Sequence, residues 1–174
     1  MTDWTHIGLT ALLVVACATE TPQTGKAQAS KPKKDVSKID ACALITSADI
    51  ETAAGWKPEA SEPKMYGGTL TCSYHRADGT KVQSVTLIVS SGMRVLESSA
   101  SMADWRKKQA ERHPEIKMTI QPVEGLGVPA ISHQAEGDSV PTLEASAKGV
   151  LLAVRSSSLE VSKALAAKAI GRLP

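Results

Sequence analysis

Apolar and polar residues alternate in several stretches of this chain, with the two-residue period of a half-buried β-strand. Two of these stretches, 69–75 and 81–90, flank Asp78 and Gly79, a pair that favours a tight hairpin turn. Their apolar faces carry Leu70, Cys72, Tyr74, Val85, Leu87 and Val89. The same period recurs at 116–120, 142–147 and 150–155, and residues 130–133 have the composition to start a further strand. We therefore predict a mainly antiparallel sheet built from hairpins.

Three other segments carry the signals of helix ends. The sequence Thr-Ser-Ala-Asp at 46–49 resembles a capping box, and Gly55 is placed to end that helix in the left-handed conformation. Residues 101–104 are expected to cap a second helix that ends before Pro114. Residues 157–160 form a capping box for the last helix. Its apolar stripe consists of Leu165, Ala166, Ala169, Ile170 and Leu173.

The predicted element order is α-β-β-α-β-β-β-α. Apolar side chains line one face of each predicted strand, and the apolar side of a helix can pack against such a face and bury it. The fold class we expect is therefore α+β, with helices packed on at least one face of the antiparallel sheet.

The apolar run at residues 7–16 has a different character, and it ends at Cys17. It is shorter than the ~20 residues that a membrane-spanning helix needs, and it suits the core of a signal peptide. An apolar run, a small residue and then a cysteine are typical of a bacterial lipoprotein signal. We therefore predict that residues 1–16 are removed and that Cys17 carries the lipid. Because no Lys or Arg precedes the run, either the true start lies upstream or His6 and the terminal amine supply the positive charge.

Residues 17–38 have the composition of a spacer. Val36 is the one large aliphatic residue after Cys17 in this segment, so the segment buries too little apolar surface to offset its ordering entropy. We expect a disordered, lipid-anchored linker over 17–38 and a single domain over 39–174. The clustered lysines of the linker are interpreted as solvated, with contact to anionic lipid headgroups as the alternative; they are Lys31, Lys33, Lys34 and Lys38.

Composition narrows the class of protein. The net charge of +2 argues against a dedicated nucleic-acid binder, which usually carries a basic stripe. The chain is 42% hydrophobic but only 3% aromatic, with no Phe, so its core must be aliphatic and rich in alanine.

The three cysteines fit the same picture. If Cys17 is lipidated, Cys42 and Cys72 remain as a pair, and a pair in an exported protein predicts a disulfide. Closing a loop of about 30 residues would stabilise the fold by roughly 3.5 kcal/mol on the chain-entropy model. The alternative is a metal or thiolate site that uses Cys72 and His75, for which no further ligands stand out.

Residues 40–49, with the sequence Asp-Ala-Cys-Ala-Leu-Ile-Thr-Ser-Ala-Asp, resemble the opening of small actinobacterial lipoproteins and sensor-like domains. In those proteins a cysteine before the first helix is matched by one on the following strand, here in Thr-Cys-Ser-Tyr at 71–74. The turn at 123–127 and the closing Ala/Leu-rich helix are similar as well. The resemblance covers residues 39–173. It implies an α/β sandwich akin to the PsbP-like fold, and a binding or accessory role without catalysis.

The sequence therefore favours a lipid-anchored, extracytoplasmic binding or accessory module at the cell membrane, whose partner is an envelope protein or a small apolar ligand. A structural envelope component is one alternative. A serine-type hydrolase is another, because serines are plentiful and His75, His113 and His133 are available, but no Gly-x-Ser-x-Gly motif occurs. We predict no catalytic, cofactor-binding or metal-binding residues.

Overall fold

The computed structural model describes residues 35–60, 63–78, 81–92 and 96–174. These residues belong to one compact unit that spans 32–174. Cys17, the predicted signal peptide and the linker up to residue 34 lie outside the described residues, so lipidation and export stay predictions. In the described ranges, no helix combines the length and the apolar character needed to cross a bilayer.

The described part contains helices and strands in the α+β arrangement that the sequence predicts. The helices are α1 (Ala41–Leu44), α2 (Ser47–Ala54), α3 (Ser99–Ala110) and α4 (Leu159–Arg172), preceded by a single 3-10 turn at Val36–Lys38. The strands are β1 (Glu59–Ala60), β2 (Lys64–Tyr66), β3 (Thr69–Asp78), β4 (Lys81–Ser91), β5 (Met118–Pro122), β6 (Ala130–Ala135), β7 (Thr142–Ala147) and β8 (Val150–Arg155).

All these strands join one sheet, and each pairing in the described part is antiparallel, which confirms the predicted sheet type. The spatial order is β1-β3-β4-β8-β7-β6-β5, and β2 also pairs with β3, so eight strands occupy seven positions. The contact between β4 and β8 is the one step between strands distant in sequence. It joins the strands β1–β4 to the β5–β8 meander, and β5 lies at the far edge of the sheet.

The element order differs from the predicted one by the extra helix α1 and by three extra strands, and one strand boundary is shifted. Four strands, not three, separate α3 from α4, because residues 130–135 form a complete strand. The short strands β1 and β2 precede the first hairpin, and each is too short to show a periodic pattern. The predicted strand at 116–120 begins at Met118, and Ile116 is 43% exposed.

The helix caps follow local hydrogen bonding, with two shifts from the prediction. At α2, the Thr46 hydroxyl accepts from the Asp49 N–H, the Asp49 carboxylate accepts from the Thr46 N–H, and Gly55 ends the helix at φ 77°, as predicted. At α3 the cap is Ser98, and Ser101 is the third helical residue. At α4 the cap is Ser158, one position later than predicted; the third helical residue is then Val161, so the predicted box with Glu160 does not form. A run of serines offers several equivalent caps, and packing selects one.

One face of the sheet, which we call the closed face, is covered by α1, α2 and α4. The predicted strand faces are confirmed here, because Leu70, Cys72 and Tyr74 of β3 and the inward residues of β4 are buried. Four of the five predicted stripe residues of α4 are buried, and Ile170 is half-buried. The 3-10 turn also contributes to this core through Val36, which is 5% exposed. The 3-10 turn at Val36–Lys38 lies within the last residues of the segment predicted as linker.

Two sets of contacts attach the N-terminal helices to the closed face. The sulfur atoms of Cys42 in α1 and Cys72 in β3 lie at bonding distance, with a Cα–Cα separation of 5.3 Å. The buried Tyr74 hydroxyl faces the carbonyl oxygens of Ile45 (2.5 Å) and Cys42 (2.9 Å). Burial, with the nearby carboxylates of Asp40 and Asp49, raises the pKa of Tyr74 to about 12, so this hydroxyl stays a donor.

Replacing both Cys42 and Cys72 by serine removes the link between α1 and β3. We expect the free energy of unfolding to fall by roughly 3 kcal/mol, mainly because the unfolded chain gains freedom. Urea denaturation followed by circular dichroism measures the change, and Cys17→Ser is the matched control. An equal stability of the double variant and the control would contradict the assignment.

Candidate functional site

The opposite face of the sheet is only partly covered, and α3 provides the cover. The helix lies over β5 and β6. Beneath it is a small apolar cluster, separate from the main core, that consists of Leu96, Met102, Ile131 and Leu151. Trp105 is half-buried against this cluster and packs on it as an aromatic anchor.

A buried carboxylate lies in the middle of this face. Glu144 is opposite Ile131 on β6 and Ala153 on β8, and its side chain is 4% exposed. A buried charge is costly unless it is paired and hydrogen-bonded. Arg106 of α3 supplies the partner. Its Nε donates to Glu144 Oε2 at 3.2 Å, and a terminal guanidinium nitrogen donates to Oε1.

The guanidinium of Arg106 also lies over the ring of its neighbour Trp105, 4.8 Å from the centroid. A cation over an indole face is attracted by the ring quadrupole. The indole therefore helps to hold the guanidinium in the plane that its fork with Glu144 requires.

His133 of β6 completes what we call the Arg106–Glu144–His133 cluster. Its Nε2 lies 3.4 Å from Glu144 Oε1, is buried, and makes no hydrogen bond within the described residues. Burial, then the charge of Arg106, lowers the pKa of His133 to about 4. Glu144 would attract an imidazolium, but its charge is already balanced by Arg106. The imidazole is therefore neutral at pH 7.

The cluster lacks the parts of a hydrolytic site. A serine nucleophile needs a base within hydrogen-bond reach. Among the described residues, no serine hydroxyl bonds to His75, His113 or His133. His75 and His113 are exposed, beside Glu59 and Glu115.

The metal alternative weighed for Cys72 and His75 is wrong. The two residues lie at an odd spacing on β3, so Cys72 points to the closed face and His75 to the opposite one. Cys72 is also bonded to Cys42. In the part of the chain that the structure describes, no group of three or more His, Cys, Asp and Glu side chains could hold a metal ion.

Beyond α3, the same side of the sheet is open to solvent across β2, β3 and β4. We call this the open face. The strand register places Tyr66, Thr71, Ser73, Thr86 and Ile88 on it. Tyr66 is 89% exposed, and the other four are half-buried. An exposed tyrosine and an aliphatic residue on one sheet face combine apolar contact area with a polar tip, which is a common composition of protein interfaces.

A shallow cavity of about 360 Å³ lies at the edge formed by β5 and β6. Its lining includes Lys117, Gln134, Glu136 and Asp138, and Lys117 and Glu136 face each other at 3.6 Å. Such a polar, charged lining does not suit an apolar ligand.

Comparisons of this chain with protein-family models, with curated proteins and with solved structures found no match. The resemblance to actinobacterial lipoproteins thus stays an expectation from the sequence.

The Arg106–Glu144–His133 cluster was not predicted from the sequence. Arg106 and Glu144 are 38 positions apart, and nothing local joins them. The available signal was Glu144 itself, a carboxylate in the middle of an otherwise uncharged strand.

Replacing Arg106 by methionine keeps most of the apolar stem but leaves Glu144 buried and unpaired. We expect the free energy of unfolding to fall by about 2 kcal/mol or more. Adding Glu144→Leu should restore most of this loss, because no buried charge then remains. Chemical denaturation of the two single variants and the double variant measures the coupling.

Arg112→Met, beyond the end of the same helix, is the matched control and should change stability by less than about 0.5 kcal/mol. Strictly additive effects of Arg106→Met and Glu144→Leu would show that the two side chains do not depend on each other.

Proposed function

We propose that this protein is a lipid-anchored, extracytoplasmic binding or accessory module at the cell membrane, built as a PsbP-like α/β sandwich. The observation that carries the proposal is the pairing of Cys42 with Cys72. A disulfide is favoured in oxidising compartments outside the cytoplasm. Of the three cysteines in the sequence, Cys17, which follows the apolar run, is the one outside this pairing and is our candidate for the lipid.

Binding is favoured over catalysis by the way the polar groups of the described part are used. Glu144 and Arg106 are hydrogen-bonded to each other, and His133 has no nucleophile beside it. A serine-type enzyme would instead need a histidine base hydrogen-bonded to a serine hydroxyl.

The partner we favour is a protein of the cell envelope, not a small apolar ligand. The closed face is filled by its own helices, and the cavity at β5 and β6 is polar. The open face offers Tyr66 and Ile88 among threonine and serine side chains, without a helix of its own. A flat, mixed surface of this kind fits a protein contact better than a buried small molecule.

The anchor can be tested by replacing Cys17 with serine in the native cells. Because two acyl chains hold a protein stably on a membrane, we expect the parent protein in the membrane fraction and the variant in the soluble fraction. Immunoblotting of both fractions measures the distribution, and the Cys42→Ser/Cys72→Ser variant should stay with the membrane. If Cys17→Ser stays in the membrane fraction as fully as the parent protein, the proposed lipid anchor is contradicted.

The binding surface can be tested with a photoreactive p-benzoylphenylalanine at Tyr66 or Thr86, both on the open face. We expect irradiation of intact cells to produce the same protein adduct from both positions. Lys168, exposed on α4 behind the closed face, is the control position and should give no such adduct. Adducts of equal intensity from all three positions, or none from the open face, would contradict the proposal.

A further inference from the structure

The attachment of α3 to the sheet depends on few contacts. Met102 is its one fully buried residue, and Ala103 and Trp105 contribute half-buried apolar surface. Most of the remaining side chains of the helix are polar. The fork between Arg106 and Glu144 is therefore a large part of what holds α3 in place.

His133 lies against the same carboxylate that receives Arg106. The charged groups that face the imidazole are Arg106 from α3, Glu144 from β7, Asp138 from the β6–β7 loop and Arg155 from β8. Strand β5 contributes the uncharged Ile120, which is opposite His133 in the sheet. Asp138 is itself paired with Arg155 at 3.0 Å, so Glu144 alone must balance Arg106.

We propose that α3 is an acid-released helix: protonation of His133 places a second cation beside the single Glu144 carboxylate, weakens its fork with Arg106 and detaches α3 from the sheet. Release would expose Ile131 and Leu151, now buried beneath the helix. An apolar patch would then extend the open face. The device is independent of the anchor and of the partner proposed above.

The direction of the pH effect follows from where the proton binds. The pKa of His133 is about 4 with α3 attached, whereas a solvated imidazole has its ordinary value of 6.5. The released state therefore takes up the proton first. Attachment is unaffected above pH 6.5, weakens progressively as pH falls from 6.5 towards 4, and changes little further below 4.

Hydrogen–deuterium exchange of the full chain at pH 7 and pH 4.5, corrected for the intrinsic rate, tests the proposal. We expect protection of α3 to fall at least about tenfold at pH 4.5, while protection of α4 is retained. His133→Gln cannot be protonated and should abolish the pH effect, whereas the exposed control His113→Gln should behave as the parent. Retained protection of α3, equal loss in α3 and α4, or the same loss in His133→Gln would overturn the proposal.

A second measurement avoids any variant. The imidazole of His133 can be titrated by NMR in the parent chain. We expect its midpoint to lie at least about one pH unit below the ordinary imidazole pKa of 6.5. A midpoint at that ordinary value would overturn the proposal, because His133 would then titrate like a solvated imidazole.

Discussion

The link between Cys42 and Cys72 is the constraint on which the closed face depends. It fixes α1 to β3, and the hydroxyl of Tyr74, two residues along β3, faces the carbonyl oxygens at positions 42 and 45. Helix α2 begins two residues after Ile45, at Ser47. Arg172 of α4 then donates to the carbonyl oxygen of Leu44 at 2.9 Å and to the carboxylate of Asp49. The first and last helices are thereby joined over one apolar sheet face.

Different interactions stabilise the packing of helices on the two faces of the sheet. The closed face buries a continuous aliphatic core, in which each fully buried Leu, Ile or Val side chain contributes about 1.5–3 kcal/mol. The α3 face has a four-residue apolar cluster and a buried ion pair, whose attraction is largely offset by desolvation. Most of the packing energy is therefore on the closed face. The face under α3 can loosen or take part in binding, because a change there leaves the main core intact.

Much of the fold was predictable from the sequence, because periodic burial leaves a periodic pattern. The alternation at Leu70, Cys72 and Tyr74 predicted β3, and the signals at Thr46 and Gly55 predicted both ends of α2. Elements too short to show a period, such as α1 and β2, were missed. The cluster was missed for another reason. Arg106, Glu144 and His133 come together only through the sheet register and the docking of α3, and both depend on residues far apart in the sequence.

The oxidation state of Cys42 and Cys72 in the protein made by its own cells is the most direct test. Alkylation of the unfolded protein without reductant, followed by peptide mass spectrometry, measures that state. We predict that neither cysteine is alkylated and that their two peptides remain joined. Alkylation of both cysteines would contradict it, because neither the link from α1 to β3 nor the inference of an oxidising compartment could then stand.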